Sequence, residues 1–175
     1  MSTRITLRDA CPADDPFLFE LYASTREAEL KQVPWTASQK LAFLEMQFKA
    51  QKTGYAEAHP DAVHQMICID AQAVGRLYLS REPDKVQILD ITIAPSARNG
   101  GIGSEVLHGI LDEADRDRKP VSIYVESFNP SLRLFQRLNF GVAAQDGFQL
   151  LLQRPASAAP SPESESPREA DRSDG

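Results

Sequence analysis

Asp90-Ile91-Thr92-Ile93-Ala94-Pro95-Ser96-Ala97-Arg98-Asn99-Gly100-Gly101-Ile102-Gly103-Ser104 is the most informative stretch of this 175-residue chain. Its apolar, β-branched start reads as a strand, which passes through a glycine-rich turn into an amphipathic segment. The spacing of Ile102, Val106, Leu107, Ile110, Leu111 and Ala114 predicts a helix from about Gly101 to Asp117, ended by Pro120. The first turn of a helix carries N–H groups with no partner inside the helix, and the helix dipole favours negative charge there. Glycine lets an anion approach that backbone without a Cβ in the way, and Arg98 adds a guanidinium suited to phosphate. A glycine-rich turn that only caps a helix has the same local pattern.

Upstream, Ile5 and Leu7 alternate with Arg4, Thr6 and Arg8, as a half-buried first strand requires. A helix is predicted from Asp15 to about Lys31, with Pro16 in its first turn and Pro34 beyond its end. A second helix, capped by Ser38, carries Leu41, Leu44 and Phe48 to about Lys52, before a break at Gly54. Apolar runs at Val63–Asp70, Ala73–Ser80 and Val86–Ile93 then form an antiparallel meander. Downstream of the long helix, Val121–Val125 reads as a strand and Pro130–Leu138 as a helix. Phe140–Ala144 and Phe148–Gln153 read as a closing strand pair. This is an α+β (mixed α/β) order, in which a right-handed helical crossover links the meander to a later strand. A doubly wound dinucleotide fold fits poorly: counted from Gly101, its third glycine would fall at Val106, and its motif would follow the first strand.

The hydrophobic fraction of 42% and charged fraction of 25% are those of a soluble globular protein. A formal net charge of -6 without a basic patch argues against nucleic acid or an anionic membrane as partner. Cys11 and Cys68 stand outside any metal-ligand or disulfide spacing, which fits a reducing cytoplasm and no metal. The N-terminus has no apolar signal region, and no run reaches the roughly 18 apolar residues of a membrane span. From Pro155 the composition turns to Pro, Ser, Ala and charge with nothing to bury. The expected organisation is one domain over 1–154 and a disordered acidic tail over 155–175.

Arg98, Gly101 and Gly103 match the R/Q-x-x-G-x-G/A signature of the GNAT N-acetyltransferase superfamily, and Ile91–Pro95 resembles its fourth strand. The stretch Val125–Phe140, with Asn129 and Leu134-Phe135-Gln136-Arg137-Leu138-Asn139-Phe140, is similar to that family's fifth strand and following helix. The resemblance implies a mostly antiparallel sheet of about seven strands with helices on both faces and a V-shaped splay between strands 4 and 5. It implies acetyl-CoA as acyl donor, with Ile91, Thr92 and Ile93 along the pantetheine. Arg98, Asn99, Gly100, Gly101, Ile102, Gly103 and Ser104 would lie around the diphosphate, and Asn129 and Phe135 beside the cofactor. Phe135 stands where many members carry the tyrosine proposed to protonate the leaving thiolate. Asn139 replaces the usual glycine, a mild change at a left-handed helix end.

Acyl transfer to an amine needs a base for the amine, a donor for the oxyanion and a proton for the thiolate. Glu126, at the end of strand 5, is the first candidate base, though a surface ion pair would also explain it. Asp90 lies among Ile88, Leu89 and Ile91, where a carboxylate needs a partner or a function. Tyr124, Tyr78 and Tyr22 could supply the hydroxyl that Phe135 lacks. Tyr22, Arg76 and Tyr78 are the expected acceptor-lining residues, and Asn129 could also cap the next helix. The expected activity is direct acetyl transfer to a primary amine on a small molecule or peptide. The alternative is a regulatory module that holds acyl-CoA without turnover. A homodimer is compatible with the sequence.

Overall fold

The computed structural model describes residues 4–157. The expected tail falls mostly at 158–175, outside the described residues. Strand β1 (Ile5–Asp9) leads through a 3-10 turn into α1 (Asp15–Lys31) and α2 (Ala37–Ala58). The meander β2 (Val63–Ile69), β3 (Gln72–Arg81) and β4 (Val86–Ile93) follows, then α3 (Ile102–Arg116) and β5 (Val121–Glu126). Helix α4 (Leu132–Arg137) and the hairpin β6 (Gly141–Asp146) and β7 (Gln149–Arg154) complete the chain. All seven strands form one sheet in the order β1-β2-β3-β4-β5-β7-β6. Every neighbouring pair is antiparallel except β4 and β5, which α3 joins as a parallel pair.

Strand alternation sends side chains to two cores, one per face. Ile67, Leu77, Leu79, Val86, Ile88 and Ile123 meet the apolar stripe of α3 and Phe135 of α4. Each such side chain, once buried, contributes about 1.5–3 kcal/mol. On the other face Leu18 of α1 packs on Met66 and Cys68, with half-buried Phe17 and Phe48 beside them. Helices therefore cover both faces, as expected. Paired charges fasten the margins: Arg154 donates to both carboxylate oxygens of Asp115 at 2.8 and 3.0 Å, tying β7 to α3.

Two features of α2 depart from the sequence reading. Its cap is Thr36, whose Oγ1 accepts from the Gln39 N–H at 3.2 Å while Gln39 Oε1 accepts from the Thr36 N–H at 2.9 Å. This reciprocal capping box outcompetes Ser38. The helix also continues through Gly54, which is exposed with no atom near its missing side chain. A glycine costs a helix about 1 kcal/mol, and tertiary anchors on either side of it outweigh that cost.

Candidate functional site

Strands β4 and β5 share only three register pairs, Val86 with Val121, Gln87 with Ser122 and Ile88 with Ile123. Beyond them β4 stays with β3 as far as Ile93 opposite Gly75, and β5 stays with β7 as far as Glu126 opposite Gln149. The sheet thus opens into a V whose inner edges are Leu89–Ile93 and Tyr124–Glu126. A bulge starts the divergence: Tyr78 pairs with Asp90 and Leu79 with Ile88, leaving Leu89 without a counterpart on β3. The extra residue shifts the alternation, so Val86, Ile88, Ile91 and Ile93 all serve the α3-side core. Asp90 and Thr92 are thereby turned toward α1 and α2.

The glycine-rich turn lies at the end of β4. Asn99 (φ 66°) and Gly101 (φ 79°) adopt the left-handed conformation, and Gly101 caps α3. The first helical bond is from the Glu105 N–H to the Gly101 carbonyl at 3.0 Å. Among the described residues, none of the N–H groups of residues 99–104 has a hydrogen-bond acceptor. Six consecutive donors at the positive end of a helix are an arrangement able to receive an anion. Gly103 keeps the arrangement low, facing the Ile93 side chain with nothing closer than 3.8 Å from a would-be Cβ. Arg98, exposed at the rim, donates through Nε to the Ile93 carbonyl at 3.0 Å. Of the cofactor-side residues expected from the sequence, Ile91–Ile93 and Arg98–Ser104 fall along this one edge and turn.

On the α1 side of the V, Glu126 Oε1 accepts from Arg26 at 3.4 Å, and Arg26 also meets Glu29 at 3.2 Å. The Arg26 guanidinium lies 5.7 Å from the centre of the Tyr22 ring. Tyr22 itself is buried against Phe48 between the two helices. Glu126 remains 43% exposed at the rim of the V. Tyr124, two residues back on the same face of β5, is 51% exposed. It stands over a depression of about 420 Å³ shared with Leu151, Ala144 and Gln149.

Asp90 has found its partner. Its Oδ2 accepts from Arg76 at 2.6 Å and its Oδ1 from the Thr92 hydroxyl at 2.7 Å, while Arg76 Nη2 donates to Gln51 Oε1 at 2.8 Å. With both oxygens engaged, this carboxylate is an anchor between β3, β4 and α2. Arg76 and Tyr78 line a cavity of about 280 Å³ with Tyr55, His64, Phe48 and Leu18; Tyr22 does not line it. Tyr78 stacks on His64 at 4.7 Å and meets Tyr55 edge-on at 5.1 Å. Burial first, and then the nearby Arg76 charge, lower the His64 pKa to about 4. The imidazole is therefore neutral at physiological pH.

The other two expected cofactor-side residues, Phe135 and Asn129, have partners within the protein. Phe135 is 2% exposed and packs edge-on against Phe140 at 5.4 Å in the α3-side core. Asn129 Oδ1 accepts from the Ser131 N–H at 2.8 Å, capping the turn into α4. Neither spacing nor composition singles out Gln51, Tyr55 or His64. Gln51 and Tyr55 stand one helical turn apart on α2, a spacing hidden once the helix was ended before Gly54. Among the described residues no three His, Cys, Asp or Glu side chains are grouped to hold a metal, and no helix is long and apolar enough to cross a membrane.

The sequence model of the acetyltransferase (GNAT) family matches residues 18–140. The fold is similar to that of PaiA N-acetyltransferase from Thermoplasma acidophilum, solved in complex with coenzyme A: TM-score 0.67, 16% identity, covering 89% of this chain and 99% of that one. It is also similar to the ribosomal-protein-S18-alanine N-acetyltransferase of Escherichia coli, with TM-score 0.59 and 15% identity over 90% of this chain and 97% of that one. A third likeness is to N-acetylglutamate synthase from Neisseria gonorrhoeae, complexed with coenzyme A and N-acetyl-glutamate. There the TM-score is 0.59 and the identity 18%, over 90% of this chain and 36% of that one. At these identities the likeness is one of fold. No curated protein matches the chain.

Proposed function

Since the chain belongs to the GNAT acetyltransferase family, we propose that it moves acetyl directly from acetyl-CoA to a primary amine. The observation that carries this reading is the run of unpartnered amides at 99–104 beside a sheet that stops pairing after Ile88. The amides and Arg98 hold the diphosphate, and the inner edge at Ile91–Ile93 runs along the pantetheine arm. The thioester then lies near the apex of the V. The acceptor approaches from the α1–α2 face, where Glu126, Tyr124, Arg76 and Tyr78 are found.

The reaction forms one N–C bond and breaks one C–S bond. A neutral amine attacks the thioester carbonyl, whose oxygen takes up negative charge beside main-chain N–H groups of β4. Glu126 takes the amine proton through a water, and the departing thiolate regains a proton from Tyr124 or solvent. Glu126 suits the base role better than Asp90, since Asp90 is already bound by Arg76 and Thr92. Arg26 lies beside Glu126 at the long end of hydrogen-bond range, 3.4 Å.

Calorimetry with coenzyme A and thiol release from acetyl-CoA over a panel of amines, peptides and proteins test this reading. Glu126→Gln is expected to lower kcat by about 10²-fold, in the usual range for a lost general base, with CoA affinity unchanged. The buried Phe135 favours a second reading, a module that holds acyl-CoA without turnover. CoA binding with no transfer to any amine would select it.

A further inference from the structure

Helix α2 touches β4 where that strand leaves β5. The last shared pair is Ile88 with Ile123, and the next residue of β4, Leu89, is the bulged residue without a counterpart on β3. The Tyr55 hydroxyl donates to the Leu89 carbonyl at 3.0 Å. One turn earlier on α2, Gln51 accepts from Arg76, which holds the carboxylate of Asp90, the residue after the bulge. Two consecutive residues of β4 are therefore fixed from a single helix. No residue of α2 is fully buried, so these polar links are a large part of its hold on the sheet.

We propose that Tyr55 is a positioning residue that keeps the inner edge of β4 open for the cofactor by holding the bulge at Leu89. A strand freed of its bulge slips by one residue and exchanges its two faces. Here such a slip would turn Ile91 and Ile93 out of the α3-side core and let the parallel ladder continue toward Tyr124, closing the V. The Tyr55 ring is itself steadied by Tyr78, which rests on His64. Burial raises the phenol pKa to about 12, so the hydroxyl stays a donor across the working range. The inference rests on the acetyl-CoA reading and adds to it a residue from the acceptor-side helix.

Tyr55→Phe keeps the ring and removes the single bond. The expected result is a rise of about threefold to tenfold in the coenzyme A Kd and in KM for acetyl-CoA, the range one neutral hydrogen bond carries, with kcat at saturation little changed. Amide chemical shifts of Asp90–Ile93 in the free protein should move as well. Thr36→Ala removes the α2 cap at a comparable cost in helix stability without touching β4, and should leave the coenzyme A Kd where it was. Equal CoA affinity in wild type and Tyr55→Phe overturns the proposal, as do unmoved amide shifts or equal weakening by Thr36→Ala. If wild type itself fails to bind coenzyme A, the acetyl-CoA reading falls and takes this inference with it.

Discussion

Phe135 occupies the position at which a tyrosine would supply a proton, and its surroundings decide what restoring that hydroxyl would do. The ring is 2% exposed between the α3 stripe and Phe140. A buried hydroxyl without a partner costs about 1–3 kcal/mol. Phe135→Tyr is therefore expected to lower unfolding stability in urea by that amount and to bring no gain in turnover. A rise in turnover with stability intact would mean that the ring faces the acyl site. Asp90 teaches the complementary lesson. Sequence position marked it as a carboxylate in need of a partner, but the partner, Arg76, is on another strand and reaches it only through the register of β3 and β4. Local sequence does not name that partner: polar Gln87, Asp90 and Thr92 alternate with apolar neighbours, and the slip of phase at Ile88–Leu89 marks the bulge without giving the register against β3.

At the scale of elements, the turn between β4 and α3 was legible because its chemistry is carried by neighbours in sequence. The glycines, the left-handed Asn99 and Gly101, and the apolar stripe of α3 all lie within one continuous stretch. Two glycine substitutions separate its structural from its binding role. At Gly103 a Cβ has room, and alanine suits a helix better, so Gly103→Ala should leave stability unchanged or raise it by up to about 1 kcal/mol. A methyl group added within this turn is expected to crowd a bound diphosphate, so coenzyme A affinity should fall by about tenfold or more, as calorimetry would read. Gly101→Ala should do both harms, since φ of 79° costs an alanine about 1–2 kcal/mol. A Gly103→Ala variant that binds coenzyme A as well as wild type would remove the cradle from the functional argument. The limits of α2 were less legible. A glycine in an exposed helix is a weak local signal, and what carries the helix through Gly54 is the distant contact of Tyr55 with Leu89.

For the whole molecule, the clearest pH signature comes from His64. Its folded pKa, about 4, lies below the ordinary 6.5, so the unfolded chain binds the proton more readily between those values. Stability is then full above about pH 6.5 and declines as pH falls toward 4. Arg76 and Lys52 strengthen the effect, while Asp90 and Asp14 oppose it. Thermal unfolding at a series of pH values should show this slope in wild type and a clearly flatter one in His64→Gln. An unchanged slope would assign it to other groups. Asp14, held far below the usual carboxylate range by hydrogen bonds from Arg8 and the Cys11 N–H, gives up its contribution only in more acidic solution. The three-pair seam between β4 and β5 has a mechanical consequence. It joins a four-stranded blade to a three-stranded one through a short spine at Val86–Ile88 and Val121–Ile123. With so few ladder bonds across it, that spine is where the sheet is expected to yield first, each blade keeping its own ladder while the shared core against α3 spans the seam.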